Sequence, residues 1–458
     1  MNFLCFDISS GGITAAIFDF NLHLIRSAET AWVLSTDDHG AATLPIDTIE
    51  AEFKRVIQLL KITGQEAIRA VCAGTFMHNC VLLDDADHSL TPVFTWLDQR
   101  GSSGVEYIRS RIGDAFHERT GCRYHPMFPV FKLASIRMEH ARRVVSVKAF
   151  LLHRLTGQWI EDHGIASASG LFNISAGDWD EELLALTGLN HDRLPRISGR
   201  TVVIGSVTPE AAHEFGLPEG TPVVNGSGDG FLANIGSECE TSSRLAVTLG
   251  TSAVVRQALT KPVLDYQAGT FCYKADDNSY LLGCASSNGG NVLDWGRQIF
   301  GALKESNAAV DPPIFIPLLH GERSPDWDPT LTGSWYGLAG RHRASDLSAS
   351  VLEGVVFNLA HFVEIVQKTS GETVSELVLS GNGFLHPTAA PMLAGIAGLP
   401  TCKPSIPGIA SLRGAGICCL RALDQPVPPL EMVHVSPSRN LGVIDRYHKY
   451  RRLRNATV

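Results

Sequence analysis

The chain has 458 residues, 44% of them hydrophobic, enough to bury more than one core and too many for one ordinary domain. Its 38 Lys and Arg against 47 Asp and Glu leave a formal charge of −9, with no basic block to track a nucleic-acid backbone, which argues against nucleic acid as a partner. No apolar run approaches the ~18 to 20 residues that span a bilayer, so the expectation is a cytoplasmic protein with no membrane partner.

From the N-terminus, FLCFDISSGGITAAIF at 3 to 18 predicts a hairpin, and residues 22 to 34 a further strand. Residues 46 to 60 carry Ile49, Phe53, Val56, Ile57 and Leu60 at helical spacing behind a possible Asp47 cap. Strand and helix signals then alternate, which predicts an α/β chain. The segment TPVVNGSGDG at 221 to 230 predicts a strand running into a glycine-rich turn, with FLANIGSE opening a helix after it. LAVTLGTSAVV at 245 to 255 predicts a second hairpin, residues 349 to 369 a long helix, and ELVLSGNG at 376 to 383 a third strand-to-glycine turn. The boundary between two halves falls between 229 and 245, giving domains 1–238 and 239–458 that meet at a hinge over a cleft. The ten cysteines have no C-x-x-C pair or zinc spacing and are read as buried thiols in a reducing compartment.

The two hairpin turns, Ser9–Ser10–Gly11–Gly12 and Gly250–Thr251–Ser252, expose backbone N–H groups with little side chain in the way. That suits a phosphate, although ordinary hairpins share the composition. Phosphoryl transfer to an alcohol calls for a carboxylate to take the hydroxyl proton. Asp229, flanked by glycines 226, 228 and 230, is the best candidate; a polar turn aspartate is the competing reading. Asp7, at the end of the first strand, suits magnesium or its waters, or simply caps the turn. His78, Trp96, Asp98 and Arg100 offer donors, acceptors and a flat wall for a polyhydroxy compound.

With these motifs in place, the chain resembles the FGGY carbohydrate kinases from end to end. DISSGGIT is similar to that family's first phosphate loop, WLDQR to its sugar segment, NGSGDG to its catalytic-aspartate loop and TLGTS to its second phosphate loop. GERSPDWDPTLTGSWYGL followed by LEGVVFNL is similar to a long C-terminal signature. The resemblance implies two actin-like (ribonuclease H-like) domains with a catalytic cleft between them, ATP and Mg2+ as cofactors, and a possible homodimer. By the same resemblance Asp229 is the base, Asp7 positions the metal, and Ser9, Ser10, Gly11, Gly12, Gly250, Thr251 and Ser252 hold the phosphates. Gly290, Asp294, Gly381 and Asn382 fall in nucleotide-side loops, and Met77, His78, Trp96, Asp98, Arg100 and Lys132 face the substrate. TPVFTWLDQR, TGCRYHPMFPVFKL and SSNGGNVLDW look most like gluconate kinases, which implies gluconate as acceptor, with Arg100, Lys132 or His125 as the cation for its carboxylate. Xylulose- or ribulose-type kinases remain the alternative.

The chain also departs from the family pattern. Ser9 stands where the first loop has glycine, Thr14 where it has a cation, Asn382 where the adenosine loop has a second glycine, and Ser135 where a tryptophan is common. GIASLRGAG at 408 to 416 lacks an acidic residue before its serine. A weakened kinase, or a sugar-binding relative that has lost transfer, is thus a rival; a chaperone-type ATPase is another, which leaves the sugar-segment motifs without a use.

Overall fold

The computed structural model describes residues 2–62, 67–303, 311–406, 408–438 and 440–457. Its first sheet contains β1 (Asn2–Ser9), β2 (Gly12–Asp19), β3 (Leu24–Ala31), β4 (Ile68–Thr75), β5 (Val203–Ser206) and β6 (Pro222–Gly228), in the order β5-β6-β4-β1-β2-β3. The first three strands form an antiparallel meander, and β4 and β6 then add in parallel beside β1. Helices α1 (Ile46–Leu60) and α2 (Val147–Thr156) pack on one face of this sheet, against Phe6, Ile8 and Ile17. Asp47 lies inside the first turn of α1 and Pro45 holds the cap position, with no side-chain cap.

The opposite face carries Phe3, Cys5, Ala16 and Phe18, and is covered by α3 (Asp229–Gly236). Side chains alternate along a strand, so Asp7 continues the face of Phe3 and Cys5 and turns toward the helices that cover it. Helix α3 begins at Asp229 itself, two residues before the expected start, so the aspartate is the first helical residue and not part of a turn.

The second sheet repeats the plan. Strands β7 (Arg244–Leu249), β8 (Ala253–Leu259), β9 (Phe271–Asp276), β10 (Ser279–Ser286), β11 (Glu376–Ser380), β12 (Thr401–Pro404) and β13 (Met432–His434) run in the order β9-β10-β8-β7-β11-β12-β13. Again three antiparallel neighbours, β7, β8 and β10, are extended by two strands parallel to β7, with β9 added outside β10. The order β3-β2-β1-β4-β6 in one sheet therefore matches β10-β8-β7-β11-β12 in the other, a duplicated actin-like architecture in which the two glycine-rich turns are equivalent β1–β2 and β7–β8 hairpins.

Helix α4 (Gly290–Phe300) follows β10, and α5 (Ala344–Ser370) fills the core beneath Val247, Leu249 and Val255. Helix α5 starts five residues before the apolar stripe does, because Asp346 accepts the Arg343 backbone N–H at 2.8 Å and anchors a polar first turn. Among the described residues α5 alone is long and apolar enough to cross a membrane, and it is buried under the sheet.

Helix α6 (Ala410–Ala422) leaves the C-terminal half and lies on the first sheet beside α3. The two helices touch backbone to backbone: a Cβ on Gly236 would lie 1.8 Å from the Ala410 carbonyl oxygen, and one on Gly414 would lie 2.0 Å from that of Leu232. All ten cysteines are buried and free.

Candidate active site

Asp229 and Asp7 come together where α3 meets the C-terminal end of β1. The Asp229 Oδ1 accepts the Gly230 backbone N–H at 2.6 Å. Burial, then the charge of Asp7, raise its pKa to about 7, against the pull of the Gly230 bond and of Arg256. One oxygen of Asp7 accepts the hydroxyl of Ser411 on α6, and its Oδ1 is buried without a partner. Burial raises the Asp7 pKa, with the Ser411 bond opposing. A buried, unsatisfied carboxylate oxygen beside a second carboxylate suits a divalent cation with oxygen ligands, so Asp7 passes the test for the metal role.

Two residues the sequence reading missed complete this end. Ser411 is the serine of GIASLRGAG, and it is this hydroxyl that engages Asp7. Arg256, on the face of β8 away from α5, donates from Nη2 to Thr248 Oγ1 at 3.0 Å, and its Nε has no partner. Thr14, which stands where a cation was expected, sits directly opposite Asp7 in the β1–β2 register. A buried cation is therefore present near Asp229, but it comes from the second sheet.

The Ser9–Gly12 turn is braced from β3. Trp32 donates its Nε1–H to the Ser10 carbonyl at 2.8 Å and its backbone N–H to that of Gly11 at 3.1 Å. Gly12 cannot carry a side chain, since a Cβ would lie 2.1 Å from the Thr30 carbonyl oxygen. Within the turn Ser9 Oγ accepts the Gly11 N–H at 3.2 Å. The Gly250–Ser252 turn is docked on α4: Gly290 donates to the Gly250 carbonyl at 2.7 Å and Asn291 to that of Thr251 at 3.1 Å. Gly381, at φ 94°, packs against the Leu249 carbonyl, where a Cβ would lie 2.4 Å away, and Asn382 follows it at the start of a 3-10 turn. Asp294 is exposed on α4, one turn after Gly290, and paired with Arg297 at 2.5 Å. A cavity of ≈ 310 Å³ opens beside Gly381, lined also by Phe384, Lys403, Ile409, Ala410 and Val433.

On the expected acceptor side, Met77 and His78 line a cavity with Gly230, Arg256, Arg323 and Trp327. His78, at φ 61°, donates from Nδ1 to the Ala168 carbonyl at 2.6 Å, and burial lowers its pKa to about 3, so the ring is neutral. Trp96 faces the guanidinium of Arg323, 5.4 Å from the ring centre. Asp98 is fully buried and engaged by Arg100, at 2.6 Å from Nη2, and by the Ala42 N–H at 3.1 Å. Lys132 is buried with its ammonium on the Met127 carbonyl at 2.6 Å, and burial lowers its pKa to about 8. Ser135 ties Gly104 and the Phe131 carbonyl together at 2.8 Å each, so its place is structural.

The model of the FGGY family of carbohydrate kinases, N-terminal domain, matches residues 2–236, and that of the C-terminal domain matches residues 245–423. The chain belongs to the FGGY family of carbohydrate kinases. It is 30% identical to a gluconokinase of Bacillus subtilis (strain 168) over 381 residues, 77% of this chain and 74% of that one. Solved structures of a gluconate kinase and of a xylulose kinase, both from Lactobacillus acidophilus, superpose equally well. Each has a TM-score of 0.91 and 26% identity and covers 99% of this chain and 98% of its own. The protein is thus a carbohydrate kinase, a phosphotransferase acting on an alcohol group, and overall shape does not separate the two acceptors.

For such a kinase the Trp32 brace carries a prediction. Trp32→Phe removes the Nε1 bond to Ser10 and keeps the apolar packing on the core, so the KM for ATP is expected to rise about five-fold with kcat changed less. Initial rates at varied ATP check it; an unchanged KM would remove the first turn from the phosphate site.

Proposed function

We propose that this FGGY kinase transfers the γ-phosphoryl group of ATP to the terminal hydroxyl of an open-chain sugar acid, gluconate, in a cleft between its two halves, 1–238 and 239–458. The observation that carries the reading is Asp229: a carboxylate with a pKa raised to about 7, next to Asp7, whose neighbour Gly230 lines the cavity of Met77 and His78. A base with this pKa takes the hydroxyl proton near neutral pH as the oxygen attacks phosphorus in line. The two hairpin turns hold the phosphates, and the apolar cavity beside Gly381 accepts the adenosine. Asp7 would hold magnesium or its waters; when bound, the ion neutralises phosphate charge. Asp7's bond to Ser411 ties this carboxylate to the C-terminal half.

ADP release with gluconate, xylulose, ribulose and glycerol tests the reading. Gluconate is expected to give a kcat/KM at least about ten-fold above the others, a discrimination that one polar group can supply. ADP release indifferent to the acceptor would leave an ATPase, and a ketose preference would move the protein to the xylulose-type kinases. A second reading, a weakened kinase, is favoured by one contact: the Ser9 hydroxyl occupies the Gly11 N–H, so that donor reaches a phosphate only after Ser9 rotates. Ser9→Gly would then raise kcat.

A further inference from the structure

The cations first considered for an acid group are committed elsewhere. Arg100 spends Nε and Nη2 on Asp98, at 3.1 and 2.6 Å. Lys132 is held by the Met127 carbonyl. His125 accepts the Met127 N–H on Nδ1 at 3.2 Å, which leaves a neutral ring.

Arg323 is differently placed. It is only 8% exposed, it lines the cavity of Met77, His78 and Gly230, and among the described residues no carboxylate lies within 4.0 Å of its guanidinium. Nη2 donates to the Ser286 carbonyl at 2.6 Å, the plane lies over Trp96, and Nε is buried without a partner. The adjacent Glu322 attracts it through space, opposing part of the burial cost, but forms no ion pair with its guanidinium. That carboxylate is turned to Ser286 Oγ at 2.7 Å, Asn358 at 3.1 Å and the Ser287 N–H at 3.1 Å, and it meets Arg323 through the backbone N–H at 2.8 Å. A desolvated cation with an idle donor is costly to maintain unless an anion arrives to meet it.

The cavity also has a direction. Arg256 lies at the Asp229 end, close enough for each charge to influence the other, whereas Arg323 lies against Trp96 and His78. Both arginines belong to the C-terminal half, and Met77 and His78 to the N-terminal half. As it stands the space is ≈ 40 Å³, enough for about one water. A six-carbon acceptor exceeds this space, so its entry would require the two halves to stand further apart.

We infer that Arg323 receives the carboxylate of an open-chain sugar acid whose far hydroxyl lies at Asp229, and so sets the enzyme's preference for acids over ketoses. This rests on the kinase reading above. The guanidinium offers a planar fork that a carboxylate matches and a ketose does not.

The test compares wild type, Arg323→Gln and Arg323→Lys with gluconate and xylulose, after thermal melts have shown each variant folded. In Arg323→Gln the ratio of the gluconate to the xylulose kcat/KM is expected to fall at least about 20-fold, the size of a lost charge-assisted bond. Arg323→Lys should recover part of it, and the KM for ATP should stay in place. An equal loss for both acceptors, or none, overturns the inference. Calorimetry of gluconate binding without nucleotide separates this from failure of the kinase reading. If wild type turns over no acceptor, that reading falls and the preference with it, while gluconate binding to wild type and not to Arg323→Gln still supports Arg323 as the partner of the carboxylate. Absence of gluconate binding to wild type, or equal binding to both, overturns it.

Discussion

Asp229→Asn is expected to lower kcat about 1,000-fold while leaving acceptor binding nearly intact, because the amide keeps the size of the carboxylate and cannot take a proton. Wild-type kcat/KM should rise with pH through about 7, where the buried carboxylate loses its proton, and then level off. The same group gives a stability signature of the opposite sense. Its folded pKa, about 7, lies above the ordinary aspartate value near 3.9, so the folded chain holds the proton more tightly than the unfolded chain. Its contribution is then most favourable below about pH 4 and is lost progressively as pH rises to about 7. Asp229→Asn should therefore melt higher than wild type at pH 8 in metal-free buffer, by a margin that shrinks at pH 5. Activity within ten-fold of wild type, or an acid limb near pH 4, would remove Asp229 from the role of base.

Lys148→Met should be the most damaging single change to the scaffold. Lys148, on α2, is fully buried, donates to Asn225 Oδ1 at 2.8 Å, and forms ion pairs with Asp162 Oδ1 at 2.8 Å and Glu161 Oε1 at 3.2 Å. Asp162 in turn accepts the Ser227 hydroxyl at 2.5 Å. Asn225 and Ser227 belong to the strand that leads into Asp229, so the lysine holds that strand through two intermediaries. Removing it leaves two buried carboxylates without a cation, a loss of about 3–5 kcal/mol and roughly 10 °C in melting temperature. Burial already raises the Glu161 pKa to about 7. Without the lysine it takes a proton more readily, and the deficit should be smaller at pH 6 than at pH 8. Glu161→Gln in the Lys148→Met background should restore part of the loss. An unchanged melting curve would show that the network carries no weight.

The elements that obey a simple period were legible in the sequence. The first hairpin, α1 and the long α5 follow from alternation or 3.6-residue spacing, and their structural bounds agree with those patterns to within a few residues. Asp229 was found as a chemical candidate but misread as a turn residue, because glycines on both sides are a turn signal that the tertiary packing of α3 overrides. The partners of the carboxylates could not be read. Ser411 meets Asp7 across 404 positions, and Arg256 and Arg323 reach the cavity from the other half of the chain. Asp98 and Arg100 looked like two free ligands two residues apart, and nothing in their spacing says that they would neutralise each other.

The contact of α3 with α6 through Gly236 and Gly414 has a bearing on how the molecule works. One helix begins with Asp229 and the other comes from the far half, and at Gly236 and Gly414 their backbones meet with no side chain in the way. If the halves move about this pair, Arg256 and Arg323, which belong to the C-terminal half, would shift relative to Met77 and His78, while Asp229, at the start of α3, would keep its place beside the contact.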